Sequence, residues 1–572
     1  MTALQHEFAA ALRAGGADTL FGLVGGGNFA LIGAFLDHGG RYVGLRHEMN
    51  AVAAADSYAR TTHRVGLVTV TQGPGLTHTL TAIVEAAKSG TPLLVLAADT
   101  PLGDRLSNQS VNQAAIAAAA GAGYLRWQRP ADAAAFVREA TRRAREERRP
   151  VLVGFPQDFS TDPADASPDP ATAEPAAPAR PLSAAGISEA VRLLTRAQRP
   201  VVLAGRGAHL AGAAEDLVRI AEHLGAVLAT TVMADGLFSG HPQSAGISGG
   251  FADDHSARIL AGADVLLAVG AGLNNWTTRH GELYGTAAII HVDDREDAIG
   301  RYTPADLGVV GDAAAVAAAL RERLVVSVEP RIKRAAAAAA ALKARDSTAR
   351  PERTPDGRLD PRSLTATLDV ILPAERCVTI DGGHFSGWPV MYLGAQSPES
   401  LLYPHGFQSV GLGVGSVIGL AMARPDRLPV LAVGDGGLLM SLGELDTLLA
   451  ERIPALVVVY DDSAYGAELH AFRNHPNIGL ARLPGQDFAA IFRAMGGQAV
   501  TASALEDLDD IRPWLAAPSG PMLLHCTVSR EVVAPWLRFV FASEHAAVRC
   551  HGAPCLSGMS PVGRNDGQGQ PA

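Results

Sequence analysis

Cysteine is nearly absent: Cys377, Cys526, Cys550 and Cys555 are the four in a chain of 572 residues. So few in such a length exclude a disulfide framework. Cys550 and Cys555, with His551 between them, have the look of half a zinc site, but no second half accompanies them. Dominant basic clusters are missing too. The net charge is −10, which argues against a nucleic-acid partner, and the Arg-rich run 142–149 reads as a solvated helix end. No apolar run is long enough to span a bilayer, so no membrane contact is expected. The segment 1–22 mixes acid and base in an amphipathic pattern. It lacks the basic start and apolar core of a signal peptide, so a cytoplasmic protein is expected.

What is present is alternation. Hydrophobic residues make up 48% of the chain, with 61 glycines, a composition that suits an Ala/Gly-rich α/β protein of about two to four domains. In 1–160, strand candidates Phe21–Val24, Tyr42–Leu45, Val65–Thr71, Leu93–Ala97 and Val151–Gly154 are separated by helical patterns. Residues 161–183 are rich in Pro and Ala and read as a linker. A second alternating block covers 184–326, with Pro200–Ala204, Val265–Val269 and Ile289–Val292 as strands. An Ala-rich helix and a linker fill 327–361. A third block covers 362–545, with Val378–Ile380 and Met522–Val528 as strands, and 546–572 reads as a frayed tail. Such βα alternation predicts parallel sheets covered by helices. The first and third blocks are alike in size, but no sequence repeat relates them.

The third block holds the stretch with the most chemistry. Gly434-Asp435-Gly436-Gly437 follows the apolar run Pro429–Val433, and Asp461-Asp462 follows the apolar run Ala455–Tyr460. Between them Leu442, Leu445, Leu448 and Leu449 recur at a helical spacing. Strand, glycine turn, helix and strand make one βαβ unit, whose two carboxylate loops leave the carboxyl ends of neighbouring strands, where open α/β sheets bind ligands. Glycine lets backbone approach a ligand, and N–H groups at a helix start suit a phosphate. Asp435 and Asp462 offer hard oxygen ligands to Mg²⁺.

With its paired acid one βαβ unit later, this stretch resembles the diphosphate motif of thiamine-diphosphate enzymes. The departure is Asp461, where that family usually has Asn. GLRHEMNAVAAADSYAR (44–60) resembles the family's segment containing Arg-His-Glu. VTQGPGLTHTLTAI (70–83) resembles its Gly-Pro-Gly segment, with His78 where Asn is frequent. Residues 406–437 resemble the run leading into the diphosphate motif. The likeness covers 1–545 and points to the superfamily of acetolactate synthases and 2-oxo acid decarboxylases.

The resemblance implies an α/β fold of three doubly wound parallel-sheet domains: pyrimidine-binding, middle and diphosphate-binding. It implies thiamine diphosphate and Mg²⁺, held by Asp435, Asp462 and the carbonyl of Ala464. Gly434, Gly436, Gly437, Gln408 and Tyr465 then line the cofactor. Glu48 touches the aminopyrimidine, where a desolvated carboxylate stabilises the tautomer that removes the thiazolium C2 proton; on local sequence alone the helix cap is the preferred reading, and the resemblance reverses it. Gln113 matches a Gln near the reacting atoms in acetolactate synthases. Gly26 and Gly73 shape substrate-side loops. Val410 matches the bulky residue that bends the cofactor, or is a core Val. His384 lies near the diphosphate, or in a surface loop. For Glu468 and His470 a solvated helix face is preferred. The implied activity is decarboxylation of a 2-oxo acid with carboligation, as in acetolactate synthase. The alternatives are a simple decarboxylase like benzoylformate decarboxylase, or a non-catalytic protein of this fold. A homodimer or homotetramer is implied. FAD is compatible with the glycine turns GRG (205–207) and GAG (270–272), but neither is a full dinucleotide fingerprint and FAD is not expected.

Overall fold

Short apolar runs that end in glycine or aspartate become the strands of three sheets. The computed structural model describes residues 4–537, apart from 102, 103, 105, 128–132, 158–180, 328, 330 and 344–349. Most of the linker 161–183, the tail 546–572 and the group Cys550, His551 and Cys555 therefore lie outside the described residues.

The first sheet contains β1 (Thr19–Gly22), β2 (Arg41–Gly44), β3 (Gly66–Val70), β4 (Leu93–Asp99), β5 (Gly123–Arg126) and β6 (Val151–Pro156), in the order β2-β1-β3-β4-β6-β5. The second contains β7 (Pro200–Ala204), β8 (Val227–Thr230), β9 (Ser244–Ile247), β10 (Val265–Val269), β11 (Ala288–Asp293) and β12 (Leu307–Val310), in the order β12-β11-β10-β7-β8-β9. The third contains β13 (Arg376–Ile380), β14 (Leu401–Leu402), β15 (Leu428–Gly434), β16 (Leu456–Asp461), β17 (Gln498–Ala502) and β18 (Met522–Thr527), in the order β14-β13-β15-β16-β18-β17. Strands within each sheet pair in parallel; for example Val430 to Gly434 register with Leu456 to Tyr460. Their central strands are buried on both faces, which is why they read as continuous Val/Leu/Ala runs.

The first and third sheets have the same strand order when β1–β6 are matched to β13–β18. The repeat absent from the sequence is thus present in the fold. Its two halves pack on each other through equivalent helices, Glu48–Thr62 between β2 and β3 and Gly413–Ala423 between β14 and β15. Gly415 and Gly419 allow the approach: a Cβ on Gly415 would lie 2.5 Å from the Asn50 carbonyl oxygen, and one on Gly419 would lie 2.0 Å from that of Ala54. One apolar core runs through this contact, from Val43 and Val68 of the first sheet to Val417, Leu431 and Val457 of the third block. Gly419→Ala should force the helices apart and cost about 1–3 kcal/mol, the range for an overpacked core. A fall in the denaturation midpoint checks this; an unchanged midpoint would mean the two backbones do not meet so closely.

One detail differs from the sequence reading. The helix after the glycine turn is two helices, Asp435–Met440 and Glu444–Ala450, because the Ser441 hydroxyl donates back to the Gly437 carbonyl (3.1 Å) and ends the first. The Arg-rich run is a helix end braced by surface ion pairs, Arg142 to Glu139 (2.8 Å) and Arg143 to Glu147 (2.8 Å). No helix among the described residues is long and apolar enough to cross a membrane.

Candidate active site

In the third sheet the strand order reverses between β13 and β15, which is where an open α/β sheet leaves a crevice at its carboxyl edge. Three neighbouring strands end there in acidic turns: β13 in Asp381-Gly382-Gly383-His384, β15 in Gly434-Asp435-Gly436-Gly437, and β16 in Asp461-Asp462. They open onto a cavity of about 790 Å³. His384, Gln408, Val410, Gly434, Asp435, Gly436, Gly437, Asp462, Ala464 and Tyr465 all line it. Glu48, Gln113, Gly26 and Gly73 do not.

The electrostatics of this cavity are those of a site short of positive charge. Burial, then the charges of Asp462 and Asp461, push the Asp435 carboxyl up to about 8. Burial likewise pushes Asp462 up to about 7, with Asp461 adding to it. Two buried carboxylates held this close favour protons over charge unless a cation lies between them. Asp461 itself is spoken for. His525 Nε2 lies 2.8 Å from its Oδ2, while the Ser463 amide (2.9 Å) and hydroxyl (3.0 Å) donate to its Oδ1. Burial opposes its charge, but these contacts with His525 and Ser463 bring its pKa below the usual value. The extra acid of the Asp461-Asp462 pair therefore braces the turn. Ser463 takes a left-handed φ of 53°, and Asp462 Oδ1 accepts from the Ala464 amide at 3.0 Å. Ala464 bridges to Arg482 through hydrogen bonds of its neighbours, Tyr465 N–H to Ala481 O and Leu483 N–H to Ser463 O. That pattern leaves Ala464's own carbonyl out of the ladder.

Asp381 went unremarked in the sequence, yet it organises the cavity wall. Fully buried, it accepts from the amides of Gly382 (2.8 Å), Gly411 (3.0 Å) and Leu412 (3.2 Å). Burial holds its carboxyl up near 6. A Cβ on Gly437 would lie 2.4 Å from its Oδ2, so that glycine makes room for the carboxylate. Val410 stands over the same turns: its Cγ2 lies 3.1 Å from a Cβ built on Gly382 and its Cγ1 lies 3.4 Å from one on Gly437. His384 is not a surface residue. It is 6% exposed, its Nε2 accepts from the Ala534 amide at 2.9 Å, and burial lowers its pKa to about 3, which keeps it neutral. Glu468 lines the cavity. His470, expected on a solvated face, is half-buried, with its ring centroid 4.6 Å from that of His384.

The first-block residues gather at the carboxyl edge of the first sheet. Glu48 opens its helix, but the cap is His47, whose Nδ1 accepts from the Met49 amide at 3.1 Å. The Glu48 carboxylate is left for other work and lies with its Oε2 3.0 Å from His78 Nδ1; the His78 ring stacks on His47. A Cβ on Gly26 would meet nothing within 4 Å, whereas Gly73 has a φ of 64° and its Cβ would lie 2.8 Å from the Gln109 oxygen. Gln113 is turned inward. It is 3% exposed, and its Nε2 donates to the Ala98 carbonyl at 2.8 Å. In the middle block the two glycine turns serve each other: the Gly207 amide donates to the Gly270 carbonyl at 3.0 Å, and a Cβ on Gly205 would lie 2.1 Å from that oxygen. Beside them Arg206 reaches the cavity and donates to the Ser89 carbonyl at 2.8 Å. Burial lowers its pKa to about 10, so it stays charged.

The donor set fits a divalent cation carrying a diphosphate: two uncompensated carboxylates, a carbonyl outside the ladder, and glycine turns where side chains would fill the space. Fold and site together define an enzyme of the diphosphate-cofactor class built on a duplicated parallel sheet. Three family models match the chain: the thiamine pyrophosphate enzyme N-terminal TPP binding domain over residues 2–122, the central domain over 187–320, and the C-terminal TPP binding domain over 381–526. The chain belongs to the thiamine pyrophosphate enzyme family. It is 29% identical to the sulfoacetaldehyde acetyltransferase of Alcaligenes xylosoxydans xylosoxydans, over 86% of this chain and 87% of that protein. It is 28% identical to the acetolactate synthase large subunit of Parasynechococcus marenigrum, over 90% and 85%. It is 30% identical to a probable 2-ketoarginine decarboxylase of Pseudomonas aeruginosa, over 88% and 90%.

Proposed function

We propose that this chain is a thiamine-diphosphate- and Mg²⁺-dependent enzyme that decarboxylates a 2-oxo acid and ligates the remaining fragment to a second carbonyl compound, in the manner of acetolactate synthase. It does so as a cytoplasmic homodimer or homotetramer. The observation that carries the reading is the convergence of Asp435, Asp462 and the glycine turns on one cavity. When bound, thiamine diphosphate supplies a thiazolium that takes up the electrons released as carbon dioxide leaves.

The chain's own groups do the rest. Asp435, Asp462 and the Ala464 carbonyl hold the metal, and the turns at Gly382–Gly383 and Gly434–Gly437 admit the diphosphate. Val410, Gln408 and Tyr465, which line the same cavity, would bind and orient the rest of the cofactor. Glu48 holds a proton at the pyrimidine N1′. Because Glu48 does not line the Asp435 cavity of its own chain, it is assigned to the cofactor of a partner chain. Glu48→Gln should bind thiamine diphosphate and exchange its C2 hydrogen about a hundredfold more slowly, since general acid–base catalysis contributes 10²–10⁴-fold. An unaltered exchange rate on bound cofactor would make Glu48 structural.

A second reading, simple decarboxylation, is supported by the likeness to the probable 2-ketoarginine decarboxylase. The deciding experiment incubates the protein with thiamine diphosphate, Mg²⁺ and a panel of 2-oxo acids, with and without aldehyde acceptors, and follows products by mass spectrometry. Sulfoacetaldehyde belongs in the panel because of the likeness to sulfoacetaldehyde acetyltransferases. A ligated ketol supports the first reading and a released aldehyde the second. No turnover by protein shown to hold cofactor would leave the non-catalytic alternative.

A further inference from the structure

The duplicated sheet carries two buried glutamates in equivalent crossovers. Glu85 lies on the helix Leu80–Lys88 between β3 and β4, and Glu444 opens the helix Glu444–Ala450 between β15 and β16. Each is 1% exposed, and each reaches into the opposite block. Glu444 Oε1 accepts from the amides of Arg46 (3.0 Å) and His47 (2.8 Å), and its Oε2 accepts from the Thr447 hydroxyl (2.8 Å). Glu85 Oε1 accepts from the Gly406 amide (2.9 Å), Arg60 Nη2 (3.0 Å) and the Ser89 hydroxyl (2.9 Å), and its Oε2 accepts from the Phe407 amide (2.6 Å). In both cases a buried carboxylate grips two consecutive backbone N–H groups. In both cases the gripped loop enters the helix that packs across the block contact.

The loops so gripped are the ones that carry the site. Arg46 and His47 immediately precede Glu48. Gly406 and Phe407 immediately precede Gln408, which has a left-handed φ of 60°, and Val410. A carboxylate shared between successive amides fixes both the position and the direction of a loop, as a single hydrogen bond does not. We propose that Glu444 and Glu85 are reciprocal positioning residues, Glu444 aiming Glu48 at the pyrimidine and Glu85 setting Gln408 and Val410 over the cofactor cavity. The inference rests on the reading of Glu48 and Val410 given above.

The test uses isosteric Glu444→Gln and Glu85→Gln in the full chain. An amide nitrogen cannot accept an N–H, so Glu85→Gln releases one of its two gripped amides. In Glu444→Gln both amides keep only a neutral acceptor at Oε1, a weaker one than a carboxylate, and the Arg46 amide loses its second contact to Oε2 (3.1 Å). Backbone hydrogen exchange of the cofactor-free protein, by mass spectrometry, should rise in a peptide covering 44–48 for Glu444→Gln and in one covering 404–408 for Glu85→Gln. On loaded protein, Glu444→Gln should slow C2 hydrogen exchange about tenfold or more with the cofactor Kd nearly unchanged, since small misplacements of reacting groups cost such factors. Glu85→Gln should instead raise the cofactor Kd. Thr447→Val and Ser89→Ala each remove one hydroxyl from the same carboxylates. They give the same split, more weakly, if the Gln variants fail to fold. Unchanged amide exchange in the gripped peptides, or equal loss of both readouts in both variants, would overturn the proposal. Failure of the underlying reading shows separately, as normal C2 exchange in Glu48→Gln, and the amide exchange then decides the grip alone.

Discussion

Asp435→Ala protein is expected to purify folded and to bind thiamine diphosphate barely, if at all, in the presence of Mg²⁺. A diphosphate brings several negative charges to a cavity that already holds Asp435 and Asp462. Only a cation coordinated by hard oxygens lets all of them coexist. Without Asp435 the metal loses one of its two carboxylate ligands, and the diphosphate loses the counterion that metal provides. Removing one partner from a buried charged set costs about 3–5 kcal/mol, or about two to four decades in affinity. The same residue should contribute nothing to the stability of the cofactor-free protein. Burial and its acidic neighbours push its carboxyl up to about 8, so at neutral pH it is a burden on the empty fold. The variant's thermal midpoint without cofactor should therefore equal or exceed that of the parent chain. Titration calorimetry decides the first point: unchanged affinity in a folded variant would end the assignment of Asp435 as a metal ligand.

Asp435 was legible in the sequence because every signal it depends on is local. An apolar run, a glycine turn and a second apolar run ending in Asp461-Asp462 lie within one βαβ unit, and β7 and β10 coincide with the apolar runs that announced them. Several edge strands were not legible, although the edge strand β2 was. β17, Gln498–Ala502, is fully buried only at Ala502, so it lacks the continuous apolar run that marks a buried strand, and β14 spans Leu401–Leu402 alone. The buried carboxylates that shape the loops were hidden for a different reason. Glu444 meets Arg46 from 398 residues away, and Glu85 meets Gly406 from 321. No periodicity or spacing records a partner so distant. The same holds for Gly415 and Gly419, which pass in sequence for part of a glycine-rich approach to the diphosphate turn but are small because another helix lies against them. His47, not Glu48, proved to be the helix cap, a distinction that needs the ring nitrogen's position and not the residue order.

Mixing inactive Glu48→Gln chains with inactive Asp435→Ala chains, under conditions that exchange subunits, is expected to restore activity. The helices Glu48–Thr62 and Gly413–Ala423 lock the first and third blocks of one chain together through glycine contacts and a shared core. In that locked arrangement Glu48 stays out of the cavity that Asp435 lines. On the proposed reading the two groups serve opposite ends of one cofactor, and a second chain is then expected to supply Glu48 to each cavity. A two-fold axis does this with one kind of contact repeated, the commonest closed arrangement of identical subunits. Each mixed dimer then has one site carrying both lesions and one carrying neither. With independent sites it should show about half the activity of a parent dimer, because closed two-fold symmetry makes the sites equivalent. If a single chain built each site, every site in the mixture would keep one lesion and mixing would restore nothing. Light scattering on the parent protein supplies the complementary check: a monomeric mass at full activity would exclude a shared site and return Glu48 to its own chain's cofactor.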